Sequence, residues 1–425
     1  VTDAASTPPG LWPGRWPAED GGPARPQAAT GGPSLALGPG ERLAATSRDA
    51  PAATMVVLRD PGEVFLLRHT AGDDAVSWVE RIDPVTLEPL ARSADLPGGK
   101  TWPGGLAAHA DGSLHVVFGR HAHALTTGLE VVARRELPRD RPYNSFVVLP
   151  DGHLVTKDFG GVRPGAPAEP SEPCELVVLA PDDLAVVDRL VLPEPSIARL
   201  SADGDDVIVV GDTSLLRVGW DGSRLSLDDG FVAPYRTLAG QTYGWDAVIA
   251  AGAAWFLDDG AGAEGYAGSF RGVGVSEAPL HLVRIDLASA EVTLAEICGL
   301  PGGIVANPPA VDAERGIAVG YDTGNGVVAA FSFDGGGTLA PRWRLELDHG
   351  AHPLRFPDTG ELVLCHHDAD RGVEQVVVVD VDTGDERARV DTGSPVQSVL
   401  FPAPGFGRDL YLCSFTTLTR VFVDG

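Results

Sequence analysis

Four polar residues stand at comparable places along the chain, each at the head of an apolar, β-rich run. Asn144 precedes Ser145-Phe146-Val147-Val148 and Asp246 precedes Ala247-Val248-Ile249, while Asn307 and His352 lead into the Pro308-Pro309-Ala310-Val311 and Pro353-Leu354 segments. Amide and carboxylate oxygens with one imidazole nitrogen make a donor set for a divalent cation, with water completing its shell. Calcium or magnesium suits the oxygens better than iron does. The same side chains could instead hydrogen-bond the backbone of neighbouring segments. Strand phase decides between the two, because a one-residue slip would turn Trp245 inward in place of Asp246.

Two further pairs could handle protons. Lys157-Asp158 and Tyr321-Asp322 close apolar runs, and a carboxylate in a water-poor channel has its pKa raised while a neighbouring lysine or metal lowers it. Lys157, Asp158 and Asp322 are thus the candidate acid–base groups, with turn caps or surface ion pairs as the structural alternative. Trp102, Tyr143, Trp245, Tyr321 and His366 would shape a substrate pocket beside them. Six histidines (His69, His121, His123, His352, His366 and His367) form a second constellation. Adjacent strand residues point to opposite faces, so His366 and His367 cannot both serve one site.

The elements that must position these residues are short strands. Asp-Gly and Asp-Thr-Gly turns recur at Asp111, Asp151, Asp203, Asp221, Asp334, Asp358 and Asp382. They supply the positive φ angles of tight antiparallel hairpins. Runs such as Leu282-Val283-Arg284-Ile285-Asp286 and Ala330-Phe331-Ser332-Phe333-Asp334 read as the third strand of a four-stranded module. Module starts fall near residues 54, 104, 143, 196, 244, 303, 351 and 396, an average spacing of about 49 residues, within the range of propeller blades. The spacing predicts an all-β, eight-bladed β-propeller over 35–425 as one domain, preceded by an irregular Pro/Gly-rich arm over 1–34 that Trp12 or Trp16 could anchor in an apolar groove. Blade eight runs out of chain after its third strand, so a segment near Glu41–Thr46 is expected to close the ring. Seven blades, with 104–142 partly a connection, is the competing count.

The modules resemble the broad β-propeller group that includes gluconolactonase-like, strictosidine-synthase-like and quinoprotein-like proteins. WD dipeptides, kelch motifs and regular tryptophan-docking repeats are absent. The resemblance to the lactonase-like members implies a metal at the axis held by residues from different blades, with His352 here standing where an oxygen ligand would be. The histidine set resembles that of carotenoid-cleaving propellers, which would imply a four-histidine non-haem iron oxygenase; the flanking motifs of that family are missing.

In a propeller the fourth-to-first and second-to-third connections share one face. The first-strand starts and second-strand ends carry the varied polar and aromatic residues, and long connections at 160–172, 228–243 and 259–278 fall there too, bringing Tyr235, Tyr243, Tyr266, Phe270 and Arg271. Connections of this length are usually lids or binding loops. The 425 residues carry a formal charge of −27, a field that repels nucleic acid and anionic membranes, and no apolar run is long enough to span a bilayer. Val1–Ser6 shows no basic and apolar leader pattern, and the four cysteines form no CxxC, which points to reduced thiols and a cytoplasmic setting. The expected function is that of an enzyme acting on a small organic molecule at the axial mouth, by metal-assisted hydrolysis or by lyase- or isomerase-type proton transfer. A non-catalytic ligand- or protein-binding scaffold is the alternative.

Overall fold

In the computed structural model, which describes residues 8–159 and 172–424, eight antiparallel sheets follow one another around a ring, an eight-bladed β-propeller. The inner strands are Ala53–Leu58, Gly105–Ala108, Tyr143–Val148, Ser201–Asp203, Val248–Ala250, Ala310–Asp312, Leu354–Phe356 and Ala403–Pro404. Burial explains their place. Tyr143–Val148 is buried at every position, whereas the fourth strand of the same blade, Val186–Val191, alternates between exposed and half-buried residues as an outer strand must. Between blades the apolar faces interlock, as Trp255 and Leu282 of blade five do with Val311 and Phe331 of blade six.

The ring closes as the sequence suggests. Arg42–Asp49 pairs with the last strand, Thr417–Asp424, in register from Arg42 opposite Asp424 to Asp49 opposite Thr417. The Asp-Gly turns lie on one face, and two of them share one construction. Asp111 and Asp221 accept the amide of the residue two positions on, each at 2.8 Å, and Gly112 and Gly222 adopt φ of +93° and +89°, which a side chain would strain.

Two kinds of boundary differ from the expected ones. The inner strands of blades four, six and eight begin at 201, 310 and 403, five to seven residues later than the apolar runs suggest. The intervening segments are buried through side-chain bonds that cross to other strands: Ser196 Oγ to the Val210 carbonyl and Ser398 Oγ to the Cys413 carbonyl, each at 2.7 Å. The long connection expected over 228–243 is strand as far as Pro234. Of the connection at 160–172, residues 160–171 lie outside the described residues.

Residues 8–37 cross the ring on the turn face and thread its axis. Inner-strand amides of five blades donate to this arm: Leu58 to the Trp16 carbonyl, Ala108 to Pro17, Ala202 to Pro23, Ile249 to Ala24 and Arg355 to Gln27, at 2.7–2.9 Å. Proline suits the role, since its carbonyl accepts while it has no N–H to leave unpaired. Trp16 is 1% exposed and belongs to the core of blades one, two, seven and eight.

Candidate functional site

On the opposite face, where the long connections gather, a cavity of about 590 Å³ opens at the axis. Its wall is assembled from segments that lead into inner strands (Thr101-Trp102-Pro103, Arg199, Trp245, Ala306-Asn307 and Val399-Leu400-Phe401) and from second-to-third connections carrying His69, Tyr266, Phe270 and Phe415. Trp102 stacks on Phe159 at 4.2 Å between ring centroids and lies 6.5 Å from Trp245. The connection over 259–278 reaches from blade five across the mouth. Tyr266 Oη donates to the Gln397 carbonyl at 2.7 Å, and the Phe270 amide donates to Gln397 Oε1 at 2.8 Å. His69 places Nδ1 2.7 Å from the Thr70 carbonyl, which makes that nitrogen the donor and leaves Nε2 as an acceptor without a partner. Burial pushes the His69 pKa down, so the ring is neutral near pH 7.

Beneath the cavity the arm inserts charge into the channel. Arg199 donates to Glu19 Oε2 and to the Pro103 carbonyl, each at 2.7 Å, while its guanidinium carbon lies 4.8 Å from the Phe401 ring centroid. Arg25 bonds Glu19, Asp20 (2.7 Å) and the Leu200 carbonyl (3.0 Å), and lies 3.8 Å from Asp246. Asp20 in turn meets His352 Nδ1 at 3.0 Å, and His352 packs on Phe401 at 4.1 Å. Burial opposes ionisation of Glu19 and Asp20, yet the facing Arg199 and Arg25 for Glu19, and His352 and Arg25 for Asp20, hold both carboxyls below the usual range. Burial likewise opposes the Arg25 charge, and Glu19, Asp246 and Asp20 outweigh it. Asp20, Arg25 and Gln27 have φ of 52°, 52° and 49°, the left-handed region, a strain that persists only where surrounding bonds hold the backbone.

Of the residues singled out by sequence, His69, Trp102, Trp245, Tyr266, Phe270 and Asn307 line this cavity. Asn307 Nδ2 donates to the Gly350 (2.5 Å) and Val399 (3.1 Å) carbonyls, and Asn144 Nδ2 to those of Ile197 (2.7 Å) and Ala198 (3.3 Å), so Asn144 ties blade three to blade four and Asn307 ties blade six to the segments leading into blades seven and eight. Asp246 accepts the Arg199 amide at 2.7 Å and has the Arg25 guanidinium as its resident cation. Lys157 Nζ donates to the Ser196 carbonyl at 2.8 Å. Asp158 accepts from Arg141 at 2.8 Å, from Arg139 at 3.2 Å and from the Glu175 amide, clamping the start of the next strand. Asp322 accepts from the Asn325 amide (3.0 Å) and side chain (2.7 Å). Tyr143 Oη accepts the Arg139 amide at 3.2 Å, Tyr321 Oη lies 3.3 Å from the Pro308 and Ala351 carbonyls, and His366 Nδ1 accepts the Asp348 amide at 3.1 Å. These last residues sit between blades, away from the cavity lining.

The six histidines are dispersed over blades one, two and seven. Among the described residues, one set of three His, Cys, Asp or Glu side chains brings its ligand atoms within 4.8 Å of one another, and it is His109, Asp111 and His115 on the turn face. The cavity residues missed by motif reading, Arg199, Phe401 and Phe415, carry no local signature. Tyr266 and Phe270 were signalled by the length of their connection.

No family model matches the chain, and no curated protein sequence matches it. Solved structures match over most of its length. A quinohemoprotein alcohol dehydrogenase from Pseudomonas putida HK5 aligns over 98% of this chain and 83% of its own, with a TM-score of 0.64 at 10% identity. BamB from Moraxella catarrhalis aligns over 89% and 97%, at 0.59 and 12%. A europium-containing methanol dehydrogenase aligns over 95% and 89%, at 0.59 and 10%. At such identities the likeness is one of fold, and this chain belongs with the β-propellers.

Proposed function

We propose that the axial cavity binds a small organic molecule carrying a positive charge beside a flat or apolar body. The observation that supports this reading is the lining. Six aromatic side chains, Trp102, Trp245, Tyr266, Phe270, Phe401 and Phe415, surround a space of drug-like size, and among the described lining residues the basic and acidic side chains are Arg199 and Asp73, with His69 neutral. Arg199 is held by Glu19 and by backbone carbonyls. A carboxylate or phosphate ligand would therefore meet no uncommitted cation. An ammonium meets aromatic faces, each worth about 0.5–2 kcal/mol, and a protein of net charge −27 concentrates cations around it.

Catalysis on the bound molecule is the second reading, and the unpartnered Nε2 of His69 favours it. A neutral imidazole in the wall suits proton transfer of the lyase or isomerase kind. Metal-assisted hydrolysis is less suited to this cavity. Asp73 is the one carboxylate among its described lining residues, and calcium or a lanthanide such as the europium of the dehydrogenase neighbour takes many oxygen ligands.

Calorimetric titration with benzyltrimethylammonium, benzyl alcohol and benzoate tests the reading, since the three share a ring and differ in charge. The cation is expected to bind at least about tenfold more tightly than the alcohol, with benzoate weakest, and Phe401→Leu and Trp245→Phe should each weaken it. Benzoate binding tightest, no cation binding at millimolar concentration, or cation binding unchanged in both variants would overturn it.

A further inference from the structure

Glu19 opens the short 3-10 turn Glu19–Gly21 of the arm and is buried. Three donors close on its carboxylate. Arg25 Nη1 bonds Oε1, and Arg199 Nη1 and Ser145 Oγ donate to Oε2 at 2.7 and 2.8 Å. Of these donors Arg199 alone belongs to the cavity wall, and Glu19 itself does not. The arm thus brings a carboxylate up behind the one arginine among the described lining residues.

The other carboxylates nearby do not share this task. Asp20 bonds Arg25 at 2.7 Å and His352 at 3.0 Å, while Asp246 lies 3.8 Å from Arg25 and takes the main-chain amide of Arg199. Among the described residues, Glu19 is the one carboxylate in ion-pair contact with the Arg199 guanidinium. Asp73, in the cavity lining, is exposed, so water and salt screen its charge, whereas the Arg199 and Glu19 side chains are each 7% exposed. The remaining bonds of Arg199 run to the Pro103 and Gly104 carbonyls at 2.7 and 3.3 Å, dipoles that orient the guanidinium without cancelling its charge. Without the charge of Glu19, an uncompensated guanidinium would stand in the wall beside Trp102 and Phe401. That arrangement suits a carboxylate on an aromatic body.

We propose that Glu19 is the positioning residue that sets the charge preference of the axial cavity: the arm supplies a carboxylate that neutralises the cavity's arginine and so excludes the anionic ligands that the ring's own residues would otherwise accept. This rests on the reading of the cavity as a site for cations and adds where the preference comes from. A ligand carboxylate and Glu19 compete for one guanidinium, and the resident group is covalently part of the chain and already desolvated.

The test uses the full chain and two probes, benzoate and benzyltrimethylammonium. Both are titrated calorimetrically into wild type, Glu19→Gln, Arg199→Met and the double variant, with circular dichroism as the check of fold. Glutamine matches glutamate in shape and still offers an acceptor, so Arg199 keeps a hydrogen bond and loses the opposing charge. In Glu19→Gln the ratio of benzoate to cation affinity should rise at least about tenfold. In Arg199→Met that ratio should fall below the wild-type value, because Glu19 is then under-compensated, and this variant decides the matter if Glu19→Gln does not fold. The double variant should lose the benzoate gain. A purely structural glutamate would weaken both probes alike and leave the ratio where it was. If wild type binds the cation, a ratio unmoved in Glu19→Gln, a ratio that does not fall in Arg199→Met, or a benzoate gain that survives in the double variant would overturn the assignment to Glu19 and leave the cation reading standing. Wild type that binds neither probe while Glu19→Gln takes up benzoate would sink the cation reading and support Glu19. No binding of either probe to any of the four proteins would overturn both.

Discussion

Arg25→Met tests the most consequential feature of the channel, the charge that the arm carries into it. Arg25 is 2% exposed and serves the Glu19 and Asp20 carboxylates, two bonds to the Leu200 carbonyl, and Asp246 at 3.8 Å. Methionine fills similar volume without charge. Its introduction leaves three buried carboxylates facing Arg199 and His352, and removal of one partner from a buried ion network costs about 3–5 kcal/mol. For 425 residues the unfolding entropy is about 0.9 kcal/mol/K, so the melting temperature should fall by about 3–6 °C. Calorimetric melts of the variant read this directly. The control is Asp246→Asn, whose amide oxygen can still accept the Arg199 amide. In the wild-type background it removes an attraction of at most about 4 kcal/mol at an effective dielectric of 20 and should destabilise. In the Arg25→Met background it removes an unpaired charge and should stabilise. pH adds a sign. In the wild type the Glu19 and Asp20 pKa values are lowered, so their contribution is complete above the unfolded value near 4 and is lost as pH falls through the folded values. In Arg25→Met the carboxyls are under-compensated, and the variant should gain stability as pH drops from 8 to 5. An unchanged melting temperature, or Asp246→Asn acting with the same sign in both backgrounds, would refute the reasoning.

Burial, and then Asp258 beside it, push the Asp259 pKa up to about 7. The folded chain thus holds that proton longer than the unfolded one, and stability falls as pH rises from about 4 to 7, by at most about 1.4 kcal/mol per pH unit. Asp259→Asn, tolerated at a φ of 61°, should match the wild type in melts at pH 4 and exceed it at pH 8. Deleting residues 1–49 bares the Thr417–Asp424 edge that Arg42–Asp49 covers, and light scattering should show association through that edge. Deleting 1–37 keeps the edge covered and should give a destabilised chain that does not associate.

The fold was legible because each propeller signal is local. Asp-Gly turns fix hairpins within a few residues, and the apolar alternation of strands such as Ala330–Phe333 repeats at blade spacing whatever the rest of the chain does. The closing strand could be placed for a different reason. A ring whose last blade lacks an outer strand must find one, and Arg42–Asp49 was the remaining β-rich segment. What local pattern could not show was where an inner strand's ladder begins. Ser196–Leu200 and Val396–Phe401 are apolar enough to be strand, yet they are tied by side chains, and apolarity reports burial without reporting which group satisfies the backbone.

The site divides along the same line. Trp102 and Trp245 were found because blade topology sends the residues ahead of inner strands to one mouth, and topology was known once the blades were counted. The occupant of the channel was not, because the arm has no period to read. Glu19, Asp20 and Arg25 lie among prolines and glycines with no alternation, and their importance appears only when the chain folds back upon five inner strands at once. That arrangement changes what the polar residues around the axis do. Asp246 and His352, a ligand pair when the channel is imagined empty, face Arg25 and bond Asp20 when the arm fills it. A carboxylate and an imidazole at a propeller axis therefore specify a need for polar partners without specifying their source, and here a segment more than 200 residues distant in sequence supplies them. The axis below the cavity is thereby closed by salt bridges, and the aromatic chamber lies toward the face crossed by Tyr266 and Phe270.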